Sequence, residues 1–212
     1  MLVFKRPLLG QGKQRVAATL GGVAALALAE ALLDCALEDL AAWPGPVVLA
    51  PASEDDADWA RALLDTRFTR NGEVATASQG TGNLGERIMR IDRTLRARVA
   101  QPLPILYMGS DAPMLADEHF ASAVAQLDRH DVALNLAEDG GVVLMGSSTP
   151  WPDLESLPWS SADLGNALQQ QCRAAGLTVG WGLPGYDIDQ AQDLQRLSGD
   201  LARDVRPARQ RL

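Results

Sequence analysis

Along the chain, short apolar runs alternate with longer stretches in which apolar and polar residues recur at helical spacing. Residues 2–4, 47–50, 105–108, 132–136 and 142–145 are apolar or nearly so and are bounded by Pro, Gly, Lys or Asp, as strands buried on both faces of a sheet are. Residues 74–77 and 177–181 are weaker runs of the same kind. A helix is predicted over 19–42, rich in Ala and Leu with acids spaced to keep one face wet, and Trp43-Pro44-Gly45-Pro46 ends it. Ser53, Asp55 and Asp56 predict the start of a helix through 59–64, because side-chain oxygens and negative charge suit unpaired amides. Leu84, Ile88, Ile91 and Leu95 follow one another at spacings of four, three and four, so they share one helical face, and Pro102 and Pro104 frame the strand after it. Helices over 117–127, 162–175 and 191–201 complete an alternation that predicts an α/β fold: a three-layer αβα sandwich around a mainly parallel mixed sheet.

Composition narrows the class. A length of 212 residues suits one domain, expected over 1–203, followed by a basic tail at 204–212. Arg203, Arg206, Arg209 and Arg211 at that end read as a frayed, solvated terminus. With 47% apolar and 22% charged residues, disorder and fibrous structure are excluded, and a net charge of −8 argues against nucleic acid as a partner. Cys35 and Cys172 lack metal or redox spacing, so they read as small buried residues of a reducing, cytoplasmic compartment. The start lacks the order of a secretory signal, and the uncharged stretch 16–29 is shorter than the ~20 residues that cross a bilayer, so no membrane span is expected.

In such sheets ligands bind beyond the carboxyl ends of the strands, which directs attention to the loops leaving them. The first, 5–15, holds Lys5, Gly10, Gly12, Lys13 and Arg15; glycines let amides approach a phosphate, and the cations offset its charge, although a solvated basic turn is a competing reading. It lacks Walker spacing. Gly109-Ser110-Asp111-Ala112-Pro113 follows the best buried strand, where Asp111 suits Mg²⁺ or Mn²⁺, or else caps the next turn. Tyr186-Asp187-Ile188-Asp189 offers a second carboxylate; extended backbone turns its two acids to opposite sides, and Asp189 is also a candidate helix cap. Gly80-Thr81-Gly82-Asn83-Leu84-Gly85-Glu86-Arg87 has the Gly-x-Gly-x-x-Gly spacing of a dinucleotide site, which admits an NAD(P)-binding oxidoreductase. The strand before it is weak, and the acid at the end of the next strand, Asp111, lies beyond the ~20 residues expected of a ribose ligand. A helix start of this kind equally suits a nucleotide base, ribose or phosphate. Residues 137–141 read as a tight turn on Asp139-Gly140, Trp159-Ser160-Ser161 as a helix start or a pocket wall, and His119 and His130 have no partner at a recognisable spacing.

Taken together, residues 5–15, 82–87, 109–113, 137–146, 158–161 and 187–194 resemble a bacterial family of GT-A-like glycosyltransferases, also described as a domain of unknown function. More distantly they are similar to phospholactate and molybdenum-cofactor guanylyltransferases, which share the nucleotide-diphospho-sugar transferase fold. The resemblance implies that Lys13 and Arg15, with Lys5 and Gly12, bind donor phosphates, that Gly82, Asn83, Gly85 and Arg87 frame the nucleotide, and that Asp111 with Asp187 or Asp189 holds the metal. It also implies that Glu138, Asp139, Gly140 and Gly141, with Trp159 and Ser160, approach the acceptor or transferred group. The chain departs from that family's pattern at Gln14, Asn83, Val142, Val143, Gln190 and Gln192. The function implied is a metal-dependent transferase that uses a nucleotide sugar. Nucleotidyl transfer from a nucleoside triphosphate and a non-catalytic nucleotide-binding protein are the alternatives. These motifs specify neither the acceptor nor the oligomeric state.

Overall fold

In a computed structural model that describes residues 1–68, 74–99 and 103–212, the apolar runs pair into one sheet. Its strands are β1 (Leu2–Phe4), β2 (Val47–Pro51), β3 (Val74–Thr76), β4 (Ile105–Met108), β5 (Val132–Leu136), β6 (Val142–Ser147) and β7 (Val179–Trp181), in the order β3-β2-β1-β4-β6-β5-β7. Only β6 runs antiparallel to its neighbours. The cause is local. Gly140 has φ +91°, and the Gly140 amide donates to Ala137 O while the Ala137 amide donates to Gly141 O, so the chain turns back at once, whereas strands joined through helices return parallel.

Helices α1 (Gln14–Leu20), α2 (Gly22–Ala42), α3 (Ala57–Arg67), α4 (Leu84–Arg96), α5 (Asp117–Leu127), α6 (Leu164–Ala174), α7 (Asp193–Asp200) and α8 (Pro207–Arg211) cover both faces. Strand side chains alternate between two cores. Leu2, Phe4, Met108, Ala133 and Leu144 pack with α2, α3 and α5, while Tyr107, Val132, Leu134 and Met145 pack with α4 and α6.

Several boundaries differ from the sequence expectation. The first predicted helix starts earlier, directly after Lys13, and breaks at Gly21, whose φ of +86° interrupts the helical path. The segment after Ser53 opens as a 3₁₀ turn (Glu54–Asp56), with Ser53 Oγ accepting from the Asp55 amide at 3.2 Å. The strand predicted from 177 begins at Val179, because the Leu177 amide still caps α6 by donating to Cys172 O. Pro102 lies outside the described residues.

The tail is a correction. Arg209 is fully buried and donates to Asp39 Oδ2 at 2.6 Å, Glu38 Oε2 at 3.1 Å and the carbonyls of Cys35 and Pro113 at 2.6 and 3.0 Å. Arg206 reaches Asp39 Oδ1 at 2.9 Å and Leu115 O at 2.7 Å. A carboxylate buried on α2 requires cations, and α8 supplies them, so these arginines are docked rather than frayed.

Candidate functional site

The carboxyl ends of β1 and β4 open into a cleft of about 640 Å³. The loop after β1 enters it from one side. Gln14 Nε2 donates to Gly10 O and Gly12 O, each at 3.0 Å, which ties the glycine turn to the first turn of α1 and gives the departure at this position a structural role. Lys13 precedes α1 in left-handed backbone, with φ 43° and ψ 38°, a conformation uncommon for a residue with a side chain. That bend carries its ammonium under the cleft, where it donates to Asp111 Oδ2 at 2.8 Å and to Ile188 O. Loops after β1, β4 and β7 therefore meet on one nitrogen.

Asp111 caps no helix: α5 begins only at Asp117, with Ala116 before it. Its own carbonyl accepts from the Ile188 amide at 2.8 Å, which fixes the segment after β7 beside it. Ile188 is buried, and the acids flanking it diverge. Asp187 is half-buried, and burial, followed by the negative charges of Asp139 and Asp111, pushes its carboxyl up to about 6 against the pull of Lys13. Asp189 pairs with Arg15. It caps no helix either; the Asp193 carboxylate instead accepts from the amides of Asp189 and Gln190 at 2.9 and 2.7 Å. Among the described residues no three His, Cys, Asp or Glu side chains group to hold a metal. Asp111 and Asp187 nevertheless both line the cleft, and two carboxylates there suit a hard cation that completes its shell with water and phosphate oxygens.

Of the predicted residues, Lys5, Gly12, Lys13, Arg87, Asp111, Trp159, Ser160, Asp187 and Asp189 line the cleft. Arg15 does not line it; its exposed guanidinium pairs with Asp189. Gly82, Asn83 and Gly85 do not line it. Asn83 caps α4, accepting from the Glu86 amide at 3.0 Å while Glu86 accepts from the Asn83 amide at 2.7 Å. Gly85 lies against the 154–159 loop, where a Cβ would meet Leu154 O at 2.0 Å. Glu138, Asp139, Gly140 and Gly141 also lie outside the lining. Arg196 Nη2 donates to Glu138 Oε1 at 2.7 Å and covers the Tyr186 ring at 3.9 Å, and Asp139 Oδ1 accepts from the Gly141 amide at 2.9 Å. Trp159 is held in place by its indole N–H, which donates to Leu154 O at 2.9 Å.

Gln79 is a lining residue that the sequence pattern does not single out. It is 1% exposed, and its Nε2 donates to Phe4 O at 3.2 Å and Ala50 O at 2.6 Å, so the amide cannot turn over, and Oε1 is left buried without a partner. A buried oxygen without a partner is an exception to the pairing of buried polar atoms. Its one sequence signal is a polar residue at the carboxyl end of β3, immediately before Gly80-Thr81-Gly82.

The fold has clear relatives among solved structures. A provisionally assigned nucleotide-diphospho-sugar transferase from Desulfovibrio desulfuricans G20 is similar at a TM-score of 0.80 and 24% identity, covering 96% of this chain and 87% of that one. A 4-diphosphocytidyl-2C-methyl-D-erythritol synthase from Anaerococcus prevotii DSM 20548 is similar at 0.53 and 13%, over 95% of this chain and 97% of the other. The architecture is thus the nucleotide-diphospho-sugar transferase fold. No curated protein matches the chain. Residues 32–161, more than half the chain, match the family described as uncharacterized proteins conserved in bacteria (DUF2064), and the chain belongs to that family.

Proposed function

We propose that the chain is a transferase that takes a nucleotide sugar as donor and uses Mg²⁺ or Mn²⁺, with residues 1–203 as the transferase domain. The meeting of Lys13, Asp111 and Asp187 in one cleft of ligand size is the observation that carries this reading. A divalent cation held by Asp111 and Asp187 would supply positive charge to the diphosphate oxygens. The protein's own groups do the rest. Lys13 offsets the charge that grows on the departing nucleoside phosphate, a kind of fixed stabilisation worth a few kcal/mol. Lys5 and the Gly12 turn approach the phosphates. Arg15 holds Asp189 in an ion pair, which leaves Asp187 to act with Asp111. The acceptor oxygen attacks the sugar carbon from the side walled by Trp159 and Ser160. The buried free thiols Cys35 and Cys172 suit a reducing, cytoplasmic setting, and no helix among the described residues is long and apolar enough to cross a membrane.

Nucleotidyl transfer is the second reading. Lys5 has no carboxylate partner among the described residues, an uncompensated charge that suits a third phosphate. The leaving group is then pyrophosphate, and a substrate phosphate attacks the α-phosphorus. Thermal unfolding with Mg²⁺ or Mn²⁺ against nucleotide sugars, triphosphates, NAD and NADP separates the readings. A metal-dependent rise in Tm with a nucleotide sugar, lost in Asp111→Ala, is expected. A rise with triphosphates alone moves the assignment to nucleotidyl transfer, and a metal-independent rise with NAD or NADP moves it to a dinucleotide site. No rise with any ligand overturns the transferase reading in favour of a non-catalytic protein.

A further inference from the structure

The cleft has two chemically different halves. Its lining acids, among the described residues, are Asp111, Asp187 and Asp189, all on the loops after β4 and β7. Gln79 stands over β1 and β2, where it holds Phe4 O and Ala50 O. Beyond β4 the lining changes to Ile88 of α4, Val142 and Met145 of β6, and Trp159 and Leu164 of the segment leading into α6. This half contributes no acid to the lining, and one cation.

That cation is Arg87. Its Nε donates to Asn83 O at 3.3 Å, and no carboxylate among the described residues pairs with the guanidinium. Burial without a compensating acid pulls its pKa down from the ordinary arginine value. Of the other lining cations, Lys13 is paired with Asp111 and Arg6 with Asp56, while Lys5, unpaired among the described residues, lies on the loop after β1 in the other half. An arginine presents donors in a fixed planar fork, and half-burying one beside an apolar wall is unfavourable until an anion accepts from it. The wall itself is set in advance. Trp159 is anchored on Leu154 O, a Cβ on Gly85 would lie 2.8 Å from the indole nitrogen, and Ser160 next to it holds φ at 64°. An anchored indole and an unpaired guanidinium lining the same half of one cleft are complementary to a molecule that is apolar along its body and anionic at one end.

We propose that this half of the cleft binds the acceptor, and that the acceptor is an apolar ring or alkyl body carrying one carboxylate or phosphate, packed on Trp159 with its anion on Arg87. The inference rests on the transferase reading and removes Arg87 from the residues that frame the nucleotide. Calorimetric titration of the full chain with phenyl phosphate, benzoate, phenol and inorganic phosphate tests it, in wild type, Arg87→Lys, Arg87→Met and Trp159→Leu, with circular dichroism confirming that each variant folds. Phenyl phosphate or benzoate should bind about tenfold or more tighter than phenol or inorganic phosphate, the ratio expected of one charge-assisted contact. Arg87→Met should remove that advantage, Arg87→Lys should keep part of it, and Trp159→Leu should weaken every aromatic probe. The affinity for the preferred probe should change by no more than about twofold when Mg²⁺ and UDP or GDP are present, since separate sites act nearly independently. Equal binding of phenol and the anionic probes, indifference to Arg87→Met, or competition with the nucleotide overturns the proposal. Nucleotide binding without binding of either anionic aromatic does the same while leaving the transferase reading intact. Arg87-dependent probe binding without any nucleotide binding supports the anion site and removes the transferase reading.

Discussion

At the scale of single residues, Asp187 shows how the site costs the fold stability. Its carboxyl is pushed up to about 6 in the folded chain from an ordinary value of 3.8, first by burial and then by Asp139 and Asp111. The folded state therefore holds this proton more tightly than the unfolded chain does. The stabilisation is present below about pH 4 and is lost as pH rises towards 6. Asp187→Asn should raise stability at pH 7.5 by roughly 1–2 kcal/mol, a figure reduced for solvent screening, and the difference in urea midpoint from wild type should vanish near pH 4. The cation binding proposed for Asp187 would have the opposite dependence, because it needs the ionised acid, so a metal-dependent thermal shift should fade between pH 7 and 5. Lys13, Asp111 and Asp187 were legible as charged residues at strand ends. Gln79 was not, because its significance is an oxygen left unpaired once its nitrogen is committed to two carbonyls from other strands.

At the scale of elements, the start of α4 explains the Gly-x-Gly-x-x-Gly spacing without a dinucleotide. Asn83 and Glu86 cap the helix reciprocally, and Gly85 lets the 154–159 loop lie against its first turn. Asn83 Nδ2 also donates to Glu155 O at 2.8 Å, so helix and loop are joined. Gly85→Ala should destabilise the chain by about 1–3 kcal/mol in urea unfolding, because the added carbon meets a backbone carbonyl at 2.0 Å rather than a side chain that can turn away. The helical face Leu84, Ile88 and Ile91 was readable from its spacing. The use of Gly85 required knowing which loop packs there.

At the scale of the whole molecule, the carboxyl-terminal segment braces the site from behind. Arg209 and Arg206 together take the carbonyls of Pro113 and Leu115, in the loop that begins at Asp111, and bind the same loop to Asp39 of α2. Removing one member of a buried ion pair leaves an uncompensated charge, so Arg209→Met should cost about 3–5 kcal/mol in urea unfolding. Arg15→Met, which breaks only the exposed pair with Asp189, should cost no more than about 1 kcal/mol in the same measurement.

The sequence by itself determined what depends on neighbours along the chain. Short continuous apolar runs became the strands, the spacing of Leu84, Ile88 and Ile91 became a helix face, and Asp139-Gly140 made β6 the antiparallel member of the sheet. These follow from local backbone preference and from burial, which a few adjacent residues already encode. Tertiary structure decided the pairings of charge. Lys13 meets Asp111 from 98 positions away, and Arg209 meets Asp39 from 170. It also brought Asp187 within electrostatic reach of Asp139 and Asp111, paired Asp189 with Arg15, and left Arg87 lining the cleft without an acid among the described residues. The physical reason is range: a carboxylate is answered by whichever cation the packed helices and loops bring within hydrogen-bond distance, and no spacing along the chain records which one that is.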